Sequence, residues 1–116
     1  MSTSVAHACR NRLGEGPIWE SRSGCVVWLD ILDPTLFRLD LATGRVHETR
    51  LETMVSSLAT DASGHGLFGS TGHGFEQIDP ESGTTRLLCP IENDRPDNRS
   101  NDGRCDPQGR FWFGTM

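Results

Sequence analysis

A repeat with a period of about forty residues is the feature that most constrains how this chain can fold. Three segments follow one pattern: an acidic residue, a glycine three or four positions later, and an aromatic residue four positions after the glycine. The aromatic residues lie in runs typical of β-strands, CVVWLDI, GLFGST and RFWFGTM. The acidic residues are Glu20, Asp61 and Asp106, the glycines are Gly24, Gly64 and Gly109, and the aromatic residues are Trp28, Phe68 and Phe113.

A second marker repeats with a similar spacing. The segments Asp40–Gly44 and Asp79–Gly83 each follow an apolar residue and form a turn that ends in glycine. A further strand candidate follows each turn, so one unit contains about four short strands, the pattern of a β-propeller blade. The chain is therefore predicted to be all-β, with blade-like units at about 15–52 and 56–89 and an incomplete unit at 99–116.

These units amount to about two and a half blades, whereas propellers have roughly 4 to 8 blades and each blade is covered by its neighbours. We therefore expect residues 1–116 to be the N-terminal fragment of a single propeller domain. In isolation such a fragment would leave strand edges unpaired and one blade face uncovered, so we expect self-association, as aggregates or oligomers, or partial disorder.

Charge and composition exclude several classes of protein. The net charge is −5 and the 11 basic residues, all arginine, are scattered, so no nucleic-acid partner is predicted. The absence of lysine excludes Schiff-base chemistry and a P-loop. Because we find neither an apolar signal segment nor a run of about 18 apolar residues, we expect no membrane partner and a cytoplasmic protein.

The repeat also predicts which side chains face the central channel of a propeller. Counting back five positions from the acidic markers gives Glu15, Ser56 and Asn101, which should occupy equivalent places on three inner strands. Arg99, two residues before Asn101, is expected on the same face. Such carboxylate, amide and guanidinium groups suit a hard cation and an oxygen-rich ligand. Each of the four residues could also have no functional role. Glu15 could be a solvated turn residue, Ser56 a strand or turn serine, Asn101 part of a structural turn and Arg99 an exposed charge.

Three motifs carry a resemblance to a known family: LGEGPIW at 13–19, WLDI at 28–31 and NRSNDGRCDPQGRFWFGTM at 98–116. Together they resemble the SMP-30/gluconolactonase/regucalcin-like family (senescence marker protein 30). The resemblance implies a six-bladed propeller whose channel holds one divalent metal cation, with calcium or zinc expected before magnesium or manganese. It also implies an enzyme that hydrolyses sugar lactones or related esters.

The resemblance assigns roles to three residues. Glu15 matches the family's first metal ligand, and Arg99 and Asn101 match its substrate-binding arginine and asparagine. Ser100 departs from the family, whose members usually have a large apolar or aromatic residue at this position. The family's other metal ligands, an asparagine and an aspartate that also serves as the base, have no counterpart here, so no catalytic residue is predicted within the fragment.

The leading hypothesis is therefore the N-terminal part of a divalent-metal-dependent lactonase that acts on a small-molecule sugar lactone and is inactive alone. One alternative is a non-catalytic, calcium-binding regulatory propeller. Another is a protein-interaction propeller, for which Glu15 and Asn101 would be dispensable.

Overall fold

The computed structural model describes all residues, 1–116, and contains ten β-strands. No helix in the chain is both long enough and apolar enough to span a membrane. The strands are β1 Gly14–Glu20, β2 Cys25–Asp30, β3 Thr35–Asp40, β4 Val46–Arg50, β5 Val55–Thr60, β6 Leu67–Thr71, β7 Gly74–Ile78, β8 Thr85–Pro90, β9 Ser100–Cys105 and β10 Phe111–Thr115.

Consecutive strands pair antiparallel into three sheets, which we call blades. Blade 1 is the four-stranded sheet β1–β4, blade 2 is the four-stranded sheet β5–β8, and blade 3 is the two-stranded sheet β9–β10. The first strand of blade 2, β5, contacts the first strands of both other blades, β1 and β9. These three inner strands therefore lie side by side, and the prediction of an all-β fold of successive antiparallel sheets is confirmed.

Two equivalent turns, after β3 and β7, show why the repeat contains aspartate and glycine. The Oδ1 atoms of Asp40 and Asp79 accept the backbone N–H two residues later, at 2.8 and 2.9 Å. Gly44 and Gly83 close the turns with φ angles of 72° and 78°, a left-handed conformation that glycine adopts without a Cβ penalty. The aspartate and the glycine thus satisfy local requirements of the same turn.

The hydrophobic core lies between blades 1 and 2. It is a cluster of nine buried side chains that come from both sheets and from the segment joining them. Because the two blades share one cluster, the burial of each depends on the presence of the other. The members are Cys25, Val27, Leu29, Leu36, Leu51, Val55, Leu58, Leu67 and Ile78.

Polar contacts between the β7–β8 turn and the end of blade 1 also join these blades. The Glu52 N–H donates to the Gly83 carbonyl at 3.1 Å, and Thr49 Oγ1 donates to the Pro80 carbonyl at 2.8 Å. A Cβ atom on Gly83 would lie 1.8 Å from the Arg50 carbonyl oxygen, so only glycine fits. We call these five residues, Thr49, Arg50, Glu52, Pro80 and Gly83, the blade 1–2 clasp.

Aromatic rings join blade 2 to blade 3. The rings of Phe68 and Phe75 stack with centroids 5.8 Å apart, and Phe75 contacts Phe111 at 5.3 Å. Phe111 in turn lies 5.7 Å from Phe113 within β10. One face of β10 is therefore packed on blade 2.

Candidate functional site

The starts of the three inner strands are irregular, and the candidate residues lie at these irregularities. Each strand contains a β-bulge, which leaves residues unpaired and changes the direction of their side chains. The register shifts between Glu15 and Ile18 in β1, between Val55 and Ser57 in β5, and between Ser100 and Gly103 in β9.

Glu15 is paired with β2 directly before the bulge of β1, and its side chain is exposed. Asp30, the aspartate of the WLDI motif, holds the chain just before it, because its carboxylate accepts the N–H groups of Arg12 at 2.7 Å and Leu13 at 3.0 Å. Burial opposes the ionisation of Asp30, but these bonds and one from the Asp33 N–H outweigh it and lower the pKa of Asp30. Asp30 therefore anchors the entry to β1 and the strand position of Glu15.

Asn101 lies within the bulge of β9, and its side chain is exposed. Asp102 shares the bulge and is also exposed. Gly103 follows and is pressed against blade 2, because a Cβ atom there would lie 2.7 Å from Ser57 Oγ. The exposed part of the bulge is thus followed at once by a residue that is packed on the neighbouring strand.

The prediction that Ser56 faces the channel is wrong. Its side chain is only 4% exposed, and its Oγ lies 2.6 Å from Ser100 Oγ of blade 3. In β1 and β9 two bulge residues oppose one partner, whereas β5 has a single unpaired residue, Ser56 itself. A bulge interrupts the alternation of side chains along a strand, so the direction of Ser56 does not follow from that of Glu15 or Asn101. Ser56 faces blade 3 instead.

Arg99 is half-buried and pairs with Met116 through two backbone hydrogen bonds of 2.9 Å. Its Nη1 atom donates to the Ser100 carbonyl oxygen at 3.1 Å. It borders a cavity of about 510 Å³. The three predicted residues Glu15, Arg99 and Asn101 thus lie at the same end of the inner strands, but only Arg99 lines this cavity. The other lining residues are Thr53, Met54, Gly72, His73, Pro96, Asp97, Asn98 and Met116.

His73 lies in the same cavity, and it was not among the site residues predicted from the sequence. It is exposed in the β6–β7 turn, where its N–H donates to Thr71 Oγ1 at 3.0 Å and its carbonyl accepts the Ile91 N–H at 3.1 Å. The order of the strands in the sequence could have placed His73 at this end of blade 2. Antiparallel strands alternate in direction, so the turn between a blade's second and third strands lies at the end where its inner strand begins.

The residues present do not by themselves form a complete divalent-metal site. No three His, Cys, Asp or Glu side chains come together in a way that could hold a metal ion. Glu15 offers one carboxylate, whereas calcium takes about 6 to 8 oxygen ligands and zinc about four ligands. The role of Glu15 as a metal ligand therefore stays a prediction.

Comparison with known proteins places this geometry in a family. The family model described as SMP-30/Gluconolactonase/LRE-like region matches residues 13–116. Regucalcin of Xenopus laevis is 35% identical over 105 residues, which are 90% of this chain and 35% of that protein. The chain thus spans about a third of the length of this relative.

Solved structures agree with the fold. A calcium-binding protein, regucalcin, from Agrobacterium tumefaciens str. C58 superposes with a TM-score of 0.87 at 38% identity, over 97% of this chain and 38% of that one. A gluconolactonase from Xanthomonas campestris superposes with a TM-score of 0.72 at 21% identity, over 90% of this chain and 35% of that one, a likeness of fold alone. The prediction of a partial β-propeller is confirmed, and the chain belongs to the SMP-30/gluconolactonase/LRE-like family.

Proposed function

We propose that residues 1–116 provide the substrate-binding arginine and asparagine and the first metal ligand of a sugar-lactone hydrolase of the gluconolactonase type. The observation that carries this proposal is the position of Glu15, Arg99 and Asn101 at one end of the inner strands β1 and β9, which lie on either side of β5. The strands touch at this level, since a Cβ atom on Gly16 of β1 would lie 3.7 Å from Ser57 Cα of β5. Membership of a family that is named after gluconolactonase supports the same reaction class.

The chemistry of Arg99 and Asn101 suits a polyhydroxylated ring. A guanidinium group offers five N–H donors in a fixed plane, and an amide offers both donors and an acceptor. A sugar lactone is uncharged and carries several hydroxyl groups, so directional hydrogen bonds are needed to orient it. We assign Arg99 and Asn101 to these hydroxyl groups.

Glu15 is proposed as one ligand of a divalent cation. Calcium is the first candidate because the Agrobacterium relative is described as a calcium-binding protein. Zinc, magnesium and manganese are the alternatives. Because the other ligands must come from outside residues 1–116, we assign no catalytic step within the chain and expect little or no turnover from it alone.

A second candidate function is calcium binding without catalysis, as in a regulatory propeller. The same calcium-binding relative, 38% identical over nearly the whole chain, favours it. The two candidates share Glu15 as a ligand and differ in whether Arg99 and Asn101 bind a substrate.

A chimera tests both candidates. Residues 13–116 would replace the matching segment of the Agrobacterium regucalcin, with the unmodified host as the reference. We would measure calcium affinity by calorimetry and hydrolysis of gluconolactone with and without a chelator. The variants are Glu15→Gln and Asn101→Ala. The control is Glu20→Gln, which changes a carboxylate at the other end of β1.

We expect Glu15→Gln to weaken calcium binding and to lower lactone hydrolysis with it. Asn101→Ala should raise KM by about tenfold, the effect of losing roughly 1.4 kcal/mol of hydrogen bonding, and should leave calcium affinity unchanged. Hydrolysis that resists both the chelator and Glu15→Gln would contradict the metal assignment. Tight calcium binding by a chimera that hydrolyses no lactone would favour the regulatory function.

Self-association of the chain and a cytoplasmic location stay predictions. Two large apolar side chains support the first: Trp19 is 53% exposed on β1 and Trp112 is 62% exposed on β10. Analytical ultracentrifugation of residues 1–116 over a range of concentrations is the direct measurement.

A further inference from the structure

Four serine side chains form a buried, hydrogen-bonded group at the junction of blades 2 and 3, which we call the serine cluster. Ser56 and Ser100 are 4% and 3% exposed, and Ser57 and Ser70 are 0% exposed. Ser57 and Ser70 share a hydrogen bond within blade 2. The 2.6 Å bond between Ser56 Oγ and Ser100 Oγ connects blade 2 to blade 3. One member of the cluster therefore belongs to the strand that carries the candidate site.

The Ser56 hydroxyl has three polar neighbours. Its Oγ lies 2.6 Å from Ser100 Oγ, 3.2 Å from Ser70 Oγ and 3.3 Å from the carbonyl oxygen of Ser70. The contact with Ser100 is the shortest of the three, and either of these two hydroxyls can donate in it. The Ser100 hydroxyl is therefore buried and bonded to the neighbouring blade.

The serine cluster holds the bulge of β9 at both ends. Ser100 is the last paired residue before the bulge and bonds to Ser56, while Gly103 is the first paired residue after it. Gly103 lies so close to Ser57 that a Cβ atom would come within 2.7 Å of its Oγ. Two consecutive serines of β5 thus lie against the residues on either side of the unpaired residues Asn101 and Asp102.

We propose that Ser100, through its hydrogen bond to Ser56, is a positioning residue for ligand binding by Arg99 and Asn101. Both residues are its immediate neighbours in the chain, and Arg99 Nη1 also donates to the Ser100 carbonyl at 3.1 Å. Bulge residues lack cross-strand pairing, so their direction depends on what holds the flanking residues. The inference rests on the proposed function.

The first experiment measures the bulge directly and needs no activity. The heteronuclear NOE of the backbone amides of Asn101 and Asp102 would be recorded in the ¹⁵N-labelled 116-residue chain, below the concentration at which it self-associates. Ser100→Ala should lower both values, and Ser100→Thr, which keeps a hydroxyl, should restore them. The control is Ser70→Ala, which removes an equally buried hydroxyl that bonds to Ser57 and lies 3.2 Å from Ser56 Oγ, and which leaves the Ser56 and Ser100 side chains unchanged.

The second experiment uses the chimera described above. Ser100→Ala should raise KM for the lactone by about tenfold, with kcat changed by less than about twofold, because a misdirected side chain weakens binding without altering the reacting groups. Ser70→Ala should leave KM unchanged. If the chimera hydrolyses no lactone, the proposed function fails, and the NOE still decides the positioning role.

Three results would overturn the inference. The first is an unchanged NOE at Asn101 and Asp102 in Ser100→Ala. The second is an equal loss in Ser70→Ala, which would show a general effect of burial. The third result applies if Ser100→Ala does not fold. Ser56→Ala removes the same bond and leaves β9 intact, so an unchanged NOE in Ser56→Ala would overturn the inference.

Discussion

The pair Gly44 and Gly83 allows the contact between blades 1 and 2 to be measured. Both residues close an aspartate turn in the same left-handed conformation, with φ angles of 72° and 78°. Their surroundings differ, since a Cβ atom on Gly44 would meet nothing within 4 Å, whereas one on Gly83 would lie 1.8 Å from the Arg50 carbonyl oxygen. Replacing each glycine by alanine therefore compares the same backbone strain with and without a clash.

The expected magnitudes follow from these geometries. Alanine in the left-handed conformation costs about 1 kcal/mol, so Gly44→Ala should lower the free energy of unfolding by that amount. In Gly83→Ala the turn must also retreat by more than an ångström, which breaks the 3.1 Å bond from the Glu52 N–H and loosens the blade 1–2 clasp. With about 1 kcal/mol for that bond and as much again for lost packing, we expect roughly 3 kcal/mol.

Urea unfolding of the 116-residue chain, followed by tryptophan fluorescence below the concentration at which it self-associates, measures both variants. Hydrogen exchange of blade 1 and blade 2 amides in the same samples shows whether the loss is shared. Equal destabilisation by Gly44→Ala and Gly83→Ala would refute the argument, because it would mean that the turn does not press on blade 1 in solution.

Two further predictions concern stability. Leu29→Ala removes a side chain with 0% exposure from the shared core and should lower the free energy of unfolding by about 3 kcal/mol, whereas Leu41→Ala, at a 57% exposed position, should change it by less than about 0.5 kcal/mol in urea unfolding. In the folded state the pKa of Asp30 is below its ordinary value of 3.8, so as pH falls the carboxylate takes up a proton first in the unfolded chain. The stability that this difference contributes is fully present above pH 3.8, and it is lost as pH falls through the lower pKa of the folded state. Unfolding midpoints between about pH 6 and pH 2.5 should show this loss in the native chain and a smaller one in Asp30→Asn.

Much of the fold could be predicted because its repeating elements are local. The aspartate and glycine of each turn act on backbone groups a few residues away, and alternating side chains define each strand from within. For the same reason Glu15, Arg99 and Asn101 could be selected from spacing and from motif resemblance. The prediction from spacing covered only the inner strands and therefore omitted His73, which lies in the β6–β7 turn at the end where β5 begins.

The sequence by itself determined the kind of structure: antiparallel blades, their turns, and a polar set at the starts of the inner strands. Only the tertiary structure decided where Ser56 points and which of two equivalent glycines lies against the neighbouring blade. Ser56 is the unpaired residue of the β5 bulge and bonds to Ser100 of blade 3, and Gly83, unlike Gly44, lies against Arg50 and Thr49 of blade 1. Both features depend on contacts with the neighbouring blade. The residue spacing within one repeat unit describes that unit alone and does not specify which atoms of the next blade will pack against it.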